Sequence, residues 1–587
     1  MYDTNRCKCR FLLVSLKVDT ILAETTIHRR RNRLNVMGDG LGLGDAYGAT
    51  LERIKTQEGE KAKLAMTTLM WICYSERPLR VDELCHALAV EIGSAHFNND
   101  NVPAIDTLLV CCQGLVMVDK EASTVRLIHH TLREYLCTHH SLFSRAHLAM
   151  GETCLTYLNS EQAKALPAKP QPDLSSMPFL KYCSRYWGTH AKRELSDHAK
   201  SLAMGLLEQY ENHVAAHSLF EQILDLEDSL EADTGALFAG LHCVSFFGIV
   251  DVMAGLLGMD GCDANRRDSA GITPLIWAVR GKQEDAVELL LGQEAVDPNT
   301  PDNAGNTSLS WAAIMGYGSV VKQLLKRQDV TPDKPDNEGR TPLLWAAGLG
   351  HELVVNQLLG REDVYPDKPD NEGRTVLSWA ASQGHELVVN QLLGREDVNP
   401  DKPGNEGGTP LSWAASQGHE LVVNQLLGRE DVNPDKPDNE GRTPLLWAAS
   451  QGHESVVKQL LDREDVNPDK PDNEGNTPLS WAAIKGRESV VNQLLDRQDV
   501  NPDKPDDEGR TPLSWAAGNG HESVVKQLLD REDVNPTGPD NSCHIPLWHA
   551  SAKGHGAVVD LLQAWQPPIP SWFAVDELQA SLPSLSL

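Results

Sequence analysis

The densest set of metal-ligand side chains in this chain is His129, His130, Cys137, His139 and His140. Imidazole and thiolate are the groups zinc takes, but a structural zinc site draws them from paired, spaced ligands, and no C-x-x-C accompanies this cluster, which straddles a predicted helix end. No metal site is expected. Phosphate chemistry would need G-x-x-x-x-G-K-[ST], whose backbone amides and lysine neutralise phosphate charge. That string is absent: Gly281-Lys282 runs on into Gln283. Gly38, Gly40, Gly42 and Gly44 alternate without forming G-x-G-x-x-G and read as a flexible connector. Arg29, Arg30, Arg31 and Arg33 could serve nuclear import or touch nucleic acid, yet a short basic cluster is more often a solvated helix face. No catalytic residue, cofactor or small-molecule substrate follows from any of these.

Aromatic chemistry is the remaining candidate. Trp277, Trp311, Trp345, Trp379, Trp413, Trp447, Trp481 and Trp515 recur every 34 residues. Such a ladder could stack nucleobases if it lay exposed in a basic groove. The chain instead has 53 Lys+Arg against 83 Asp+Glu, a formal charge of −30, which repels nucleic acid and anionic membrane alike. A protein partner is the expectation that remains. The 12 cysteines are scattered and read as reduced thiols. The apolar run Phe11 to Leu16 is too short for a signal peptide and no segment reaches bilayer-spanning length. The expected address is cytoplasmic, with the nucleus as the other possibility.

The elements that carry the ladder follow from its period. TPL or a near variant starts at Thr273, Thr307, Thr341, Thr375, Thr409, Thr443, Thr477, Thr511 and Ile545, and one step back reaches Ala239, giving about ten units with degenerate ends. In the unit from Asp336 to Pro369, Thr341 is a suitable N-cap and Pro342 fits the first helical position, so LLWAA forms a short helix that Gly350 ends. His351 and Glu352 open a second helix with Val354, Val355, Leu358 and Leu359 on one face. A turn-rich finger with two prolines leads to the next threonine. Terminal units of such a stack should turn a polar outer side to water.

This pattern resembles the ankyrin repeat, carried here by Asp438, Gly441, Thr443, Pro444, Leu445, Ala448, Ala449, Gly452, His453, Val456, Val457, Leu460 and Leu461. Two departures recur. Ser412, Leu446 and Ile276 stand where the family has the His of TPLH, which removes a familiar bond between units. Gln357, Gln391, Gln425 and Gln459 occupy a usually apolar helix position, where they form an amide ladder or lie partly exposed. The family register puts the tryptophans in the inter-helix core, Trp311, Trp345, Trp379, Trp413, Trp447, Trp481 and Trp515 among them. It puts partner contacts at the finger tips, near Arg340, Arg374, Arg442 and Arg510, and after the first helix, at Leu349, Gln383, Gln417, Gln451, Lys485 and Asn519.

Residues from about 45 to 230 have a different, mostly helical texture. VDELCHALAV at 81–90 and AIDTLLVCC at 104–112 read as helices, LVMVDKEASTVRLIH as a two-stranded hairpin, and further helices follow at 129–136, 144–158, 178–192 and 197–226. Helices followed by a β-wing indicate a winged helix. GLGDAYGATLERI, ERPLRVDELCHALAV and VRLIHHTLREYL make this half similar to the winged helix, named after GPI inositol-deacylase, that follows the nucleotide-binding core in fungal NACHT-type STAND proteins. The resemblance implies a relative of NOD-like receptors. In that family the histidine matching His129 can reach nucleotide phosphate, but with no P-loop present His129 is expected to be structural. The chain then reads as a P-loop-less remnant, a shortened gene product or an adaptor.

The expected architecture is therefore mainly α: a remnant segment at 1–60, a winged helix at 61–140, a helical linker at 141–234, an ankyrin α-solenoid at 235–565 and a tail at 566–587. The expected function is a non-enzymatic protein–protein interaction scaffold of NLR-like kind. The alternative is a nuclear ankyrin coregulator of transcription, and an ATPase survives only if a P-loop lies upstream.

Overall fold

The computed structural model describes residues 25–31, 43–166, 175–208, 210–215 and 238–565. Arg33, the loop glycines 38, 40 and 42, residues 216–226 and the tail with Trp572 and Phe573 lie outside them. The protein is mainly helical and divides into two compact units, Met1–Asn303 and Ala304–Leu587. Among the described residues no helix is long and apolar enough to cross a membrane.

The first unit opens with α1 (Leu43–Lys55), α2 (Lys61–Tyr74), α3 (Val81–Ala89) and α4 (Ile105–Cys111), then the antiparallel hairpin β1 (Val116–Asp119) and β2 (Thr124–Leu127), which pairs Val116 with Leu127 and Asp119 with Thr124. Glu83 explains the sharp entry into α3. Its buried carboxylate takes both arms of Arg77 at 2.7 Å and accepts the Arg80 amide at 2.9 Å, so the first turn has its acceptor and the acid its countercharge. The wing is followed by α5 (His130–Thr138), α6 (Ala146–Asn159), α7 (Leu180–Arg193) and α8 (Asp197–Leu207). The helix anticipated over 197–226 is broken after Leu207: a 3-10 turn lies at Tyr210–Asn212, Val214 and Ala215 are helical again, and residues 216–226 lie outside the described residues.

The winged helix and the helices after it share one core. Trp71 of α2 meets Phe179 at 5.4 Å and Tyr182 at 5.9 Å, and the Tyr182 hydroxyl accepts from the Glu76 amide. That core extends onto the first repeat, α9 (Gly240–Phe247) and α10 (Val250–Leu257). Trp187 packs on Phe247 at 5.6 Å, and a Cβ on Gly188 would strike the Phe247 ring at 2.2 Å. Nearly all of α9 is buried. The expectation of a polar outer side at this end is thus corrected: α7 and α8 cover it, and an apolar face is what a covered face needs.

The repeat itself is built as its sequence dictates. Two helix pairs fall in the first unit and eight in the second, from Ser308–Ile314 with Gly318–Leu324 to Pro546–Lys553 with Gly556–Ala564. First helices pack on first helices and second on second, which makes a two-layer stack within each unit. Thr341 caps Pro342–Gly348 by accepting the Leu344 amide, and Ala346 and Ala347 are small enough to let neighbouring helices approach. Gly350 has φ +73°, and a Cβ there would meet His385 Nδ1 at 2.6 Å, so the position admits only glycine on two counts. Val354, Val355 and Leu358 of Glu352–Leu359 are buried as the spacing requires.

The bond lost with the TPLH histidine is made elsewhere. His351, His385, His419, His453 and His521, each at the start of a second helix, turn Nε2 to the carbonyl of Ile314, Gly348, Ser382, Ser416 and Ile484 in the preceding repeat, at 2.9–3.0 Å. A carbonyl only accepts, so Nε2 carries the proton. Arg487 does the same to Ser450 with Nε at 3.1 Å. The glutamines form no amide ladder: Oε1 of Gln357, Gln391, Gln425 and Gln459 is buried without a hydrogen-bond partner, on side chains that are half-buried overall.

Candidate partner-binding surface

Among the described residues, every finger but the one at 404–408 turns on a buried aspartate. Asp336 Oδ1 accepts the amides of Glu338 and Arg340, both at 2.9 Å, which closes the turn; its Oδ2 accepts from Arg340 Nε at 2.9 Å and from the Trp345 indole N–H at 3.1 Å. The guanidinium then lies over the Trp345 ring, 4.2 Å from its centroid. This knot of carboxylate, guanidinium and indole recurs at Asp370, Arg374 and Trp379, at Asp438, Arg442 and Trp447, and at Asp506, Arg510 and Trp515. The four arginines that the sequence placed at finger tips therefore lie folded back over the helix, half-buried, with the outer nitrogen turned to Glu338, Glu372, Glu440 and Glu508.

The tryptophans sit differently from a core position. Trp277 alone in the ladder is fully buried, at 1 % exposure, with Arg280 over its ring at 4.6 Å. Trp311, Trp345, Trp379, Trp413, Trp447, Trp481 and Trp515 are half-buried. The bond from the indole N–H to the finger aspartate does not set this depth, since Trp277 makes it to Asp268 at 2.9 Å and is buried, while Trp413 faces Gly404 instead and is half-buried like the rest. Where Asn476 replaces the arginine, Trp481 keeps its bond to Asp472 at 2.7 Å, and Lys485 comes to 5.8 Å from its ring.

The predicted positions after the first helix line the same surface. Leu349, Gln383, Gln417, Gln451 and Lys485 are exposed; Asn519 is half-buried and donates to the Ile484 carbonyl. Between Trp413 and Trp447 lies a cleft of about 270 Å³ that Gln417, Gln451 and Arg442 border. Between Trp379 and Trp413 a second, of about 450 Å³, is bordered by Arg374, Gln383 and Gln417. Arginine, tryptophan and glutamine thus converge on one face. The constant spacing of Asp, Arg four residues on and Trp five further was the signal in the sequence for that convergence.

A second surface feature was missed. Leu353, Leu387 and Leu421 are 56–63 % exposed on three successive second helices, and the signal was ELVV in these units against ESVV in later ones. Beneath the fingers, burial raises the Asp367, Asp401 and Asp435 carboxyls, while hydrogen bonds from Arg395 and Arg429 hold the exposed Asp397 and Asp431 down.

The histidines of 129–140 do not converge. His129 Nδ1 accepts the Thr131 amide to cap α5, and His139 Nδ1 donates to the Tyr135 carbonyl at 2.7 Å. Among the described residues the one group close enough to hold a metal is Glu76, His147 and His190. Arg193 already bonds Glu76 and lies 3.4 Å from His147 Nε2, so the group has its cation. Of the basic cluster, Arg29 and Arg31 are exposed and Arg30 is half-buried.

Family comparisons agree with both halves. Residues 241–334, 319–403, 343–436, 411–506 and 489–566 match the model for ankyrin repeats in three copies, and residues 51–147 match that for the GPI inositol-deacylase winged helix domain. No curated protein matches the chain.

Proposed function

We propose, from the premise that this chain belongs to the ankyrin-repeat family, that it is a non-enzymatic scaffold which binds a protein partner along the face lined by its tryptophans, finger arginines and helix-end glutamines. The observation that carries this reading is the row of half-exposed indoles, each edged by polar side chains. Trp and Arg are the residue types that dominate protein–protein hot spots, and a ring already stacked by a cation loses little freedom on being covered. The winged helix preceding the array supports a finer reading as an NLR-like recognition protein of the NACHT-associated kind, acting in the cytoplasm.

The test is affinity capture by the full-length chain from its own cell extract, beside a variant with alanines at Ser382, Gln383, Ser416, Gln417, Ser450 and Gln451 whose circular dichroism is unchanged. A discrete protein retained by the native chain and lost by the variant is expected. Equal capture by both would overturn the assignment of this face.

A further inference from the structure

One repeat departs from the knot that its neighbours share. Where they read Asp-Asn-Glu-Gly-Arg, residues 404–408 read Gly-Asn-Glu-Gly-Gly. Backbone geometry does not call for the two glycines: Gly407 has φ +82°, matching Gly339, Gly373 and Gly441, whereas Gly404 and Gly408 are not at positive φ. The turn is intact, with Gly404 N bonded to the Gly408 carbonyl at 3.0 Å as Asp336 N is to Arg340. A Cβ at 404 would make only ordinary contacts, the nearest at 3.4 Å. The carboxylate and the guanidinium are gone, and the Trp413 indole lies close in, its Nε1 3.1 Å from where a Cβ at 408 would stand.

Three groups lack the partners that their counterparts have. The Trp413 indole N–H is buried and has no acceptor. Its ring lines the clefts on both sides, toward Trp379 and toward Trp447, and no cation lies over it, although cations cover Trp277, Trp345, Trp379, Trp447, Trp481 and Trp515. Glu406 is exposed with no ion pair, whereas its counterparts Glu338, Glu372, Glu440 and Glu508 each hold an arginine.

We infer that Gly404, Glu406, Gly408 and Trp413 form a socket for an arginine side chain of the protein partner, with a hydrogen-bond acceptor beside that arginine. The neighbouring repeats show what fills the space: a planar guanidinium at 4.0–4.2 Å from the ring, salt-bridged to the glutamate, next to an oxygen that takes the indole proton. A lysine fits less well, since an ammonium is a point charge that neither stacks nor forks; Lys485 stands 5.8 Å from its indole. The inference rests on the scaffold reading and names the chemistry of one contact within it.

The probe is the blocked dipeptide acetyl-Asp-Arg-amide, titrated into the full chain with ¹⁵N-labelled tryptophan and compared with acetyl-Asp-Lys-amide. The Trp413 indole resonance is identified by its loss in W413F. A saturable shift of that resonance is expected with the arginine peptide and a weaker one with the lysine peptide. E406Q should weaken the first roughly fivefold, and G404D/G408R, which rebuilds the neighbouring knot and so keeps the fold, should abolish it. No shift at Trp413, shifts of equal size at the other ladder tryptophans, or undiminished binding by G404D/G408R would each overturn the socket. If the socket fails while partner capture still depends on residues 383, 417 and 451, the scaffold stands without it. If the socket holds while capture is indifferent to those residues, the scaffold assignment falls instead.

Discussion

Removing one finger carboxylate measures how much of the array's stability is concentrated at its knots. Asp438 has a side chain 4 % exposed and accepts from four donors: the Glu440 amide at 3.0 Å, the Arg442 amide at 2.8 Å, Arg442 Nε at 2.9 Å and the Trp447 indole at 3.1 Å. In D438A the guanidinium, a quarter exposed, turns to water and recovers most of its loss. The two amides and the indole N–H stay largely enclosed, and at about 1 kcal/mol for each unmet donor the variant should lose about 3 kcal/mol. Because a repeat contacts only its neighbours, the loss should appear locally as well as in the urea midpoint of the array. At about 1.4 kcal/mol per factor of ten, amide exchange across 440–449 should accelerate by roughly two powers of ten. G404A, in the repeat that already lacks the carboxylate, should change both readings little. A D438A variant within about 0.5 kcal/mol of the native chain, with protection unchanged, would refute the idea that this oxygen holds the ring and the turn together.

Acid should act first on the unit Met1–Asn303. Burial, the largest cause in each case, pushes His190 down to about 3 and His213 and His242 down to about 4. The folded state therefore binds fewer protons than the unfolded one, so their contribution is complete above about pH 6.5 and declines below it; each should cost about 2 kcal/mol at pH 5. Urea midpoints followed by near-ultraviolet circular dichroism at pH 7.5 and 5 check this, and H242Q should reduce the difference by about a third. Between repeats, H453A should lose about 1 kcal/mol by stranding the Ser416 carbonyl, while R487H should be tolerated because histidine makes the same bond elsewhere in the stack; urea titration of both variants compares them.

Much of the fold was legible because local rules and the global period agree. Threonine, proline and glycine mark the same three points in unit after unit, and the hairpin lay where Asp119 to Thr124 break the alternation. What was not legible depended on neighbours in space. The helix position of Trp345 says that one side is covered but not by what; that was settled by Asp336 and Arg340, which lie across a turn. The apolar character of α9 read as degeneration, because the helices that cover it lie some 50 residues earlier in the chain. The loss at 404 and 408 was plainly printed in the sequence, yet it meant nothing until the neighbouring repeats showed which two groups were missing.

The bonds that join the repeats of the unit Ala304–Leu587 reach back a single repeat and are nearly identical from one to the next. Mechanically this is a row of equal fasteners in series. Under tension applied at its C-terminal end, the last helix pair, Pro546–Lys553 with Gly556–Ala564, which among the described residues has a partner on one side only, should part first. That release exposes the next pair to the same load, so the stack yields by peeling. Each detached repeat of 34 residues would pay out about 115 Å of extended chain at roughly 3.4 Å per residue, a length added in equal steps while the repeats not yet reached keep every bond they had.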